Sequence, residues 1–262
     1  VKDLSIIIPT YKNTKFLKEC FGSILNSIRN YDVEIIVGVD ACLETLEFIR
    51  SNVFDDRINF YFFEKNQGPY IIKNSFLKIT KSENLLFFDS DDIMCENMIE
   101  SIIQNLKSNN VVKPSYVEFI DGQKINTKSK VIKSEGVFAI KKNLLIKFNG
   151  FEPWICGADT ELSFRLVSNN VKFKFLREIL FYRRLHKNGL TSRKDTGSGS
   201  EIRRKYSDII LSKIDRGPLE TLTTADYKNL KDVNKSKVQE INDLFIPKEK
   251  NKIVISKILK IT

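Results

Sequence analysis

Two hydrophobic periods alternate along the first 120 residues. Leu4 to Pro9 (LSIIIP) is a short continuous apolar run, the pattern of a strand buried on both faces in a parallel sheet. Thr10 to Asn13 reads as a turn. Phe16, Leu17, Cys20, Phe21, Ile24, Leu25 and Ile28 then recur at three- and four-residue steps, which is one face of a helix. The alternation repeats: a strand over Val33 to Val39, a helix from about Leu43 to Arg50, and a strand over Ile58 to Phe63. Next come a helix opening at Pro69 and running to about Thr80, a strand over Asn84 to Phe88, and a helix from about Glu96 to Lys107. Four such repeats predict right-handed βαβ units and a mostly parallel sheet, an α/β fold. Ligands of such sheets gather outside the carboxyl ends of the strands. The residues expected there are Thr10-Tyr11, Asp40 and Asp89-Ser90-Asp91, polar groups that end apolar runs.

The second half has a different grain. Val111 to Ile120, a turn at Asp121-Gly122, and strand-like Val131-Ile132 and Gly136 to Ile140 suggest mixed or antiparallel strands. Lys141 to Phe148 reads as a short helix capped by Asn149-Gly150. Thr160 to Ser168 reads as an amphipathic helix, and Val171 to Leu176 and Ile179 to Arg183 as strands. Thr196 to Ser200 (TGSGS) has the composition of a flexible linker, with two or three lysine-rich helices expected beyond it. Lys248 to Lys260 sets Ile253, Ile255, Ile258 and Leu259 among lysines. It reads as a helix docked on the core or lying at a membrane interface.

Composition narrows the classes. The 262 residues are 42% hydrophobic and 29% charged, enough for one domain, or one plus an appendage. No apolar run approaches the roughly 18 residues of a bilayer span, and no secretory signal is visible. The first residue is Val1, so an excerpt of a longer protein is one expectation. Cys20, Cys42, Cys95 and Cys156 form no CxxC pair, and His186 is the only histidine, a pattern against structural zinc. Two disulfides fit the count, but free thiols in a reducing cytosol fit the size and the lack of a signal better. The net charge of +10 is uneven: residues 187–262 hold 17 Lys/Arg against 10 Asp/Glu, whereas residues 1–186 hold 26 against 23. The basic tail is either a solvated surface or a contact for an anionic partner such as a membrane surface or partner protein. No nucleic-acid-binding pattern accompanies it.

Neither GxGxxG nor GxxxxGK[ST] occurs, so no glycine loop is present to hold phosphates. Asp89-Ser90-Asp91 offers another means. Two carboxylates flanking a small residue at a strand mouth can hold a divalent cation, and the cation can neutralise a diphosphate. Asp159 stands near a helix start, where it reads either as a carboxylate facing a cleft or as an ordinary N-cap. Trp154 reads either as a sugar-stacking platform or as an aromatic anchor for its loop.

Taken in order, these stretches resemble a family 2 glycosyltransferase with the GT-A fold, over residues 4 to about 190. Ser5-Ile-Ile-Ile-Pro-Thr-Tyr11 is similar to the family's opening strand. Asn66-Gln67-Gly68 with Lys73-Asn74 is similar to its NxG…RN stretch. Phe87 to Asp92 is similar to its DxD loop, Gly136 to Phe151 to its acceptor region, and Gly157 to Arg165 to its EDxDLxxR helix start. Three departures stand out: Asp40-Ala41-Cys42-Leu43 in place of DDGS, Ala158-Asp159 in place of ED, and Lys73 in place of arginine. The resemblance implies an inverting, metal-dependent enzyme that moves a sugar from a nucleotide-diphosphate sugar, most simply a UDP-sugar, to a hydroxyl of a glycan in surface polysaccharide synthesis. It implies a donor site at Pro9, Thr10, Tyr11, Asp40, Asn66, Gly68, Lys73, Asp89, Ser90 and Asp91. It implies a Mn²⁺ or Mg²⁺ ion at Asp91, His186 and Asp89, and Asp159 as the base. Glu161, Trp154 and Phe151 fall on the acceptor side. Residues 1–192 become the transferase domain, with a nucleotide-sugar half at 1–110 and an acceptor half at 111–192. Residues 193–262 become a mainly helical extension, and the location is cytoplasmic or peripheral at the inner membrane face. The alternatives are a non-catalytic nucleotide-sugar or glycan binder, which Ala158 keeps open, and a sugar-nucleotide nucleotidyltransferase, which the missing glycine loop argues against.

Overall fold

Seven consecutive residues, Leu4–Thr10, are all buried and form β1 at the centre of one large sheet. The computed structural model describes residues 1–214 and a strand at 258–261. β2 (Val33–Asp40), buried along its whole length, and β3 (Ile58–Phe63) lie in parallel on one side of β1, and β4 (Asn84–Phe87) on the other. Between them run α1 (Thr14–Ile28), α2 (Leu43–Arg50) and α3 (Pro69–Ser75), the last continued by a 3₁₀ turn at Phe76–Lys78. These are the elements that the apolar periods predict. β1 lies where the strand order reverses, between β2 and β4. On its β1 side β4 pairs only with Ser5–Ile7, so Pro9-Thr10 project past it and leave a crevice at the strand ends.

Beyond β4 the sheet turns mixed. After the two-residue β5 (Ile93–Met94) and α4 (Met98–Leu106) come β6 (Val111–Ile120), β7 (Ile132–Lys133), β8 (Phe138–Lys141), α5 (Lys142–Lys147), α6 (Ala158–Ser168), β9 (Phe173–Leu185) and α7 (Glu201–Ile214). β8 is antiparallel to both β4 and β6, and β9 runs parallel to β6 and antiparallel to β5. The two strands expected at 171–176 and 179–183 are one strand. Its register against β6 jumps from Lys113↔Phe175 to Ser115↔Ile179, so one residue, Pro114, faces three on β9. Pro114 has no N–H for the ladder, and Arg177-Glu178 bulge out beside it.

Apolar side chains pack on both faces. One cluster joins the sheet to α1, α2 and α4; the other joins it to α3, α5, α6 and α7. Three expectations for the C-terminal part change. The TGSGS stretch is no loose linker: Thr196 and Ser200 are buried, and Thr196 donates to Leu190 O. α7 is integral to the second core cluster through Ile202, Tyr206 and Ile210, so residues 193–214 belong to the same body as the strands. Ile258–Ile261, expected in a helix, form β10, antiparallel to β3 at the sheet's edge. Residues 215–257, with the remaining expected helices, lie outside the described residues. Among the described residues no helix is long and apolar enough to cross a membrane.

Candidate active site

Four strand ends meet at the crevice. After β4, the chain turns through Asp89–Asp92 and is pinned from three directions. Asn13 Nδ2 donates to Ser90 Oγ at 2.9 Å, Arg184 Nε donates to the Asp91 carbonyl at 2.9 Å, and the Arg184 backbone N–H donates to Asp92 Oδ1 at 2.9 Å. Asp92 is therefore a structural member of the acidic run, buried with Arg184. Burial, then Asp91 and Asp89, push its carboxyl well above the ordinary value. Asp91 keeps its Oδ2 for His186, whose Nε2 lies 2.8 Å away. The imidazole is fixed edge-on against Phe16, with ring centroids 4.8 Å apart.

Asp89 leaves 45% of its side chain open to the crevice, with Lys73 Nζ 3.9 Å from Oδ1. The surrounding protein raises its carboxyl above the ordinary value, Lys73 opposes the rise, and Asp91 and Asp159 add to it. Solvent in the open crevice offsets part of that push. Lys73 is buried, its ammonium above the rings of Tyr70, Phe87 and Phe151. The concentration of carboxylates suits a divalent cation. Among the described residues no three His, Cys, Asp or Glu side chains stand close enough to enclose an ion unaided. An imidazole and a carboxylate in contact at 2.8 Å nevertheless form a donor pair of the kind that suits Mn²⁺. The residues present fit the ion, with Asp91 and His186 as ligands and Asp89 beside them.

Asp159 faces this cluster from the opposite wall. α6 begins at Ala158, with Gly157 at the cap in a left-handed conformation, φ 77°, so Asp159 lies in the first turn and is not the N-cap. Oδ1 accepts from Tyr70 Oη at 2.9 Å and from the Thr160 N–H at 3.0 Å. Among the described residues Oδ2 has no hydrogen-bond partner, and it points toward Gly136. A Cβ at Gly136 would lie 2.9 Å from Asp159 Oδ2 and 3.8 Å from Asp89 Oδ2, so the two carboxylates converge across a glycine that gives them room.

The expected donor residues line the near wall. Pro9 and Thr10 are buried, Thr10 Oγ1 without a hydrogen-bond partner, and Tyr11 is 41% exposed. Asn66 is exposed and Gly68 half-buried. Asp40 is buried and grips the 67–68 loop: Oδ1 accepts from the Gln67 N–H at 2.6 Å and Oδ2 from the Gly68 N–H at 2.9 Å. The acceptor expectations need correction. Phe151 is 1% exposed and packs among Phe87, Phe138 and Tyr70. Trp154, also 1% exposed, stacks on Tyr206 at 4.0 Å and 6°. Glu161 is fully buried against Arg165, with Oε2 2.7 Å from Nη2, and Arg165 also donates to the Gly150 carbonyl. None of the three has a face open to the crevice, so none can touch an acceptor there. Sequence reasoning missed Tyr70, a buried aromatic without a local motif. It also missed Lys113, whose buried ammonium binds Glu135 and Ser163 and so ties β6 to the segment before Gly136 and to α6.

The sequence and the fold are similar to those of known proteins. The profile of Glycosyl transferase family 2 matches residues 5–165. The chain is 32% identical over 115 residues to the poly(ribitol-phosphate) beta-N-acetylglucosaminyltransferase TarP of Staphylococcus aureus strain N315, 42% of this chain and 35% of that protein. It is 31% identical over 120 residues to glycosyltransferase GlyG of Streptococcus pneumoniae, 44% of this chain and 40% of that protein. The chain thus spans well under half the length of these relatives. Among solved structures, S. aureus TarS 1–349 in complex with UDP-GlcNAc superposes with a TM-score of 0.61 at 16% identity, covering 92% of this chain and 71% of that one, a likeness of fold. The profile runs from β1 through the DxD turn to the end of the Glu161–Arg165 pair and covers more than half of the residues, and on that ground the chain belongs to glycosyl transferase family 2.

Proposed function

We propose that the protein is a metal-dependent inverting glycosyltransferase that moves a sugar from a UDP-sugar to a hydroxyl of a cell-surface polymer. The observation that carries the reading is the convergence of Asp89 and Asp159 across Gly136, on the same acidic turn as Asp91, which contacts His186. An inverting transfer is one displacement at the anomeric carbon. It needs a group that takes the acceptor proton and positive charge at the departing diphosphate. Asp159 offers Oδ2 for the proton while Oδ1 is held by Tyr70 and Thr160. Asp91 and His186, with Asp89, would hold Mn²⁺ or Mg²⁺, and the ion when bound would supply charge that stabilises the leaving diphosphate. Lys73 adds a fixed cation beside Asp89.

Tyr11 is exposed enough to stack on a uracil, and the unpartnered Thr10 hydroxyl suits a polar atom of the donor. TarP is named for poly(ribitol-phosphate), which makes that polymer the first acceptor to try.

The test is nucleotide release from a panel of UDP-sugars with Mn²⁺, with and without poly(ribitol phosphate). Asp159→Asn should lower kcat about 100- to 10,000-fold with donor binding kept. Wild-type kcat in Asp159→Asn would overturn the base assignment, and full turnover in EDTA or in Asp91→Ala the metal assignment. Donor binding without turnover by any panel member would favour a binding protein.

A further inference from the structure

Tyr70 sits where the two walls of the crevice touch. Its side chain is 6% exposed, and its ring lies 5.5 Å from that of Phe151. Its hydroxyl makes two contacts, with the Gly157 N–H at 3.1 Å and with Asp159 Oδ1 at 2.9 Å. The direction of both follows from proton counting. A backbone N–H only donates, so the phenolic oxygen accepts from Gly157. The single phenolic proton is therefore committed to Asp159. The hydroxyl thus does two things at once: it fixes the left-handed residue that opens α6, and it holds one oxygen of the carboxylate, leaving Oδ2 turned toward Gly136.

The place of Tyr70 is set from the donor side, not from α6. It is the second residue of α3, directly after Gly68-Pro69, and the Gln67 and Gly68 N–H groups are gripped by both oxygens of Asp40 at the end of β2. A short chain of contacts runs from the end of β2 through the 67–70 turn to the carboxylate on the opposite wall.

We propose that Tyr70 is the positioning residue for Asp159, holding the carboxylate in the one orientation that presents Oδ2 to the acceptor and referencing that orientation to the donor-side strand end. The inference rests on the reading of Asp159 as the base. A tyrosine that only filled core space would need some partner for its hydroxyl, but not this one, and the experiment separates the two roles.

Tyr70→Phe keeps the ring and removes the hydroxyl. A hydrogen bond to a charged group accounts for about a 10- to 100-fold effect. In nucleotide release from the UDP-sugar panel with Mn²⁺, kcat should fall by that factor while the donor KM stays within about twofold. In an Asp159→Asn background the same change should cost nothing further, because the group it positions is already gone. A crystal structure of Tyr70→Phe should show the fold intact and the Asp159 carboxylate rotated away or split between rotamers. Wild-type kcat in Tyr70→Phe, or a loss that multiplies undiminished onto Asp159→Asn, overturns the inference. If Asp159→Asn itself keeps wild-type kcat, or no panel member turns over, the crystal structure decides alone: an unmoved carboxylate overturns the positioning role, and a displaced one upholds it whatever the reaction.

Discussion

Adding one methyl group at Gly136 is the sharpest available perturbation of the acceptor side. The residue's φ is not in the left-handed region, so alanine fits the backbone without strain. The new Cβ would lie 2.9 Å from Asp159 Oδ2, whereas ordinary contact begins at 3.4 Å, so the oxygen must retreat by about half an ångström. It cannot do so freely, because Oδ1 is tied to Tyr70 and Thr160; the retreat becomes a rotation of the carboxylate. The same Cβ meets Asp89 Oδ2 at 3.8 Å, an ordinary contact, and leaves Asp89 undisturbed. Misplacement by 1 Å can cost about 100-fold in rate, so Gly136→Ala should lower kcat roughly tenfold. The donor KM, the Mn²⁺ requirement and the thermal midpoint should stay near wild type. Steady-state nucleotide release and a melting curve on one preparation suffice. A kcat within twofold of wild type would refute the placement of Asp159 Oδ2 against Gly136, as would an equal loss in an Asp159→Asn background.

Three further outcomes follow from the same geometry. Glu161→Gln leaves the Arg165 guanidinium buried without its counter-charge and should cost about 3 kcal/mol of unfolding free energy in a denaturant titration; a stable variant would show that the buried pair is dispensable. Gly22→Ala, in the middle of α1 with nothing within 4 Å of the added methyl, should stabilise the protein by about 0.5–1 kcal/mol and leave turnover unchanged. His186→Ala should raise the Mn²⁺ concentration needed for half-maximal turnover by on the order of a hundredfold, and an unchanged titration would remove His186 from the metal site.

The parallel half of the fold was legible because each strand there is a continuous apolar run and each helix has one apolar face. β9 was read as two strands because Arg177-Glu178 interrupts its apolar pattern. The interruption is real, but it is a bulge imposed by Pro114 on the neighbouring strand, and no one-dimensional pattern carries that pairing. At the site, residues tied to a strand end were legible: Asp89, Asp91 and Asp40 follow apolar runs whose ends converge. Trp154 and Phe151 misled because an aromatic beside glycines and polar residues looks the same whether it faces a sugar or Tyr206. Glu161 carried a readable signal, the four-residue spacing to Arg165, but spacing does not say that the pair is buried. Tyr70 had none, since its partner lies 89 residues away.

The stack of Trp154 on Tyr206 bears on the order in which the protein comes apart. α7 belongs to no strand ladder; it is held by Ile202, Tyr206 and Ile210 against the core cluster that contains Trp154, Cys156 and Leu162. Arg203 on the same helix reaches within 3.8 Å of where a Cβ on Gly157 would sit. An element latched by one face opens at lower free energy than a ten-stranded sheet buried on both sides. When α7 lifts, Trp154 loses its cover and the turn that carries Asp159 loses its backing, while the strands keep their hydrogen bonds. Mild heat or denaturant is therefore expected to displace the Asp159 turn before it melts the sheet, and a population with native secondary structure and a loosened crevice wall is the expected first stage of failure.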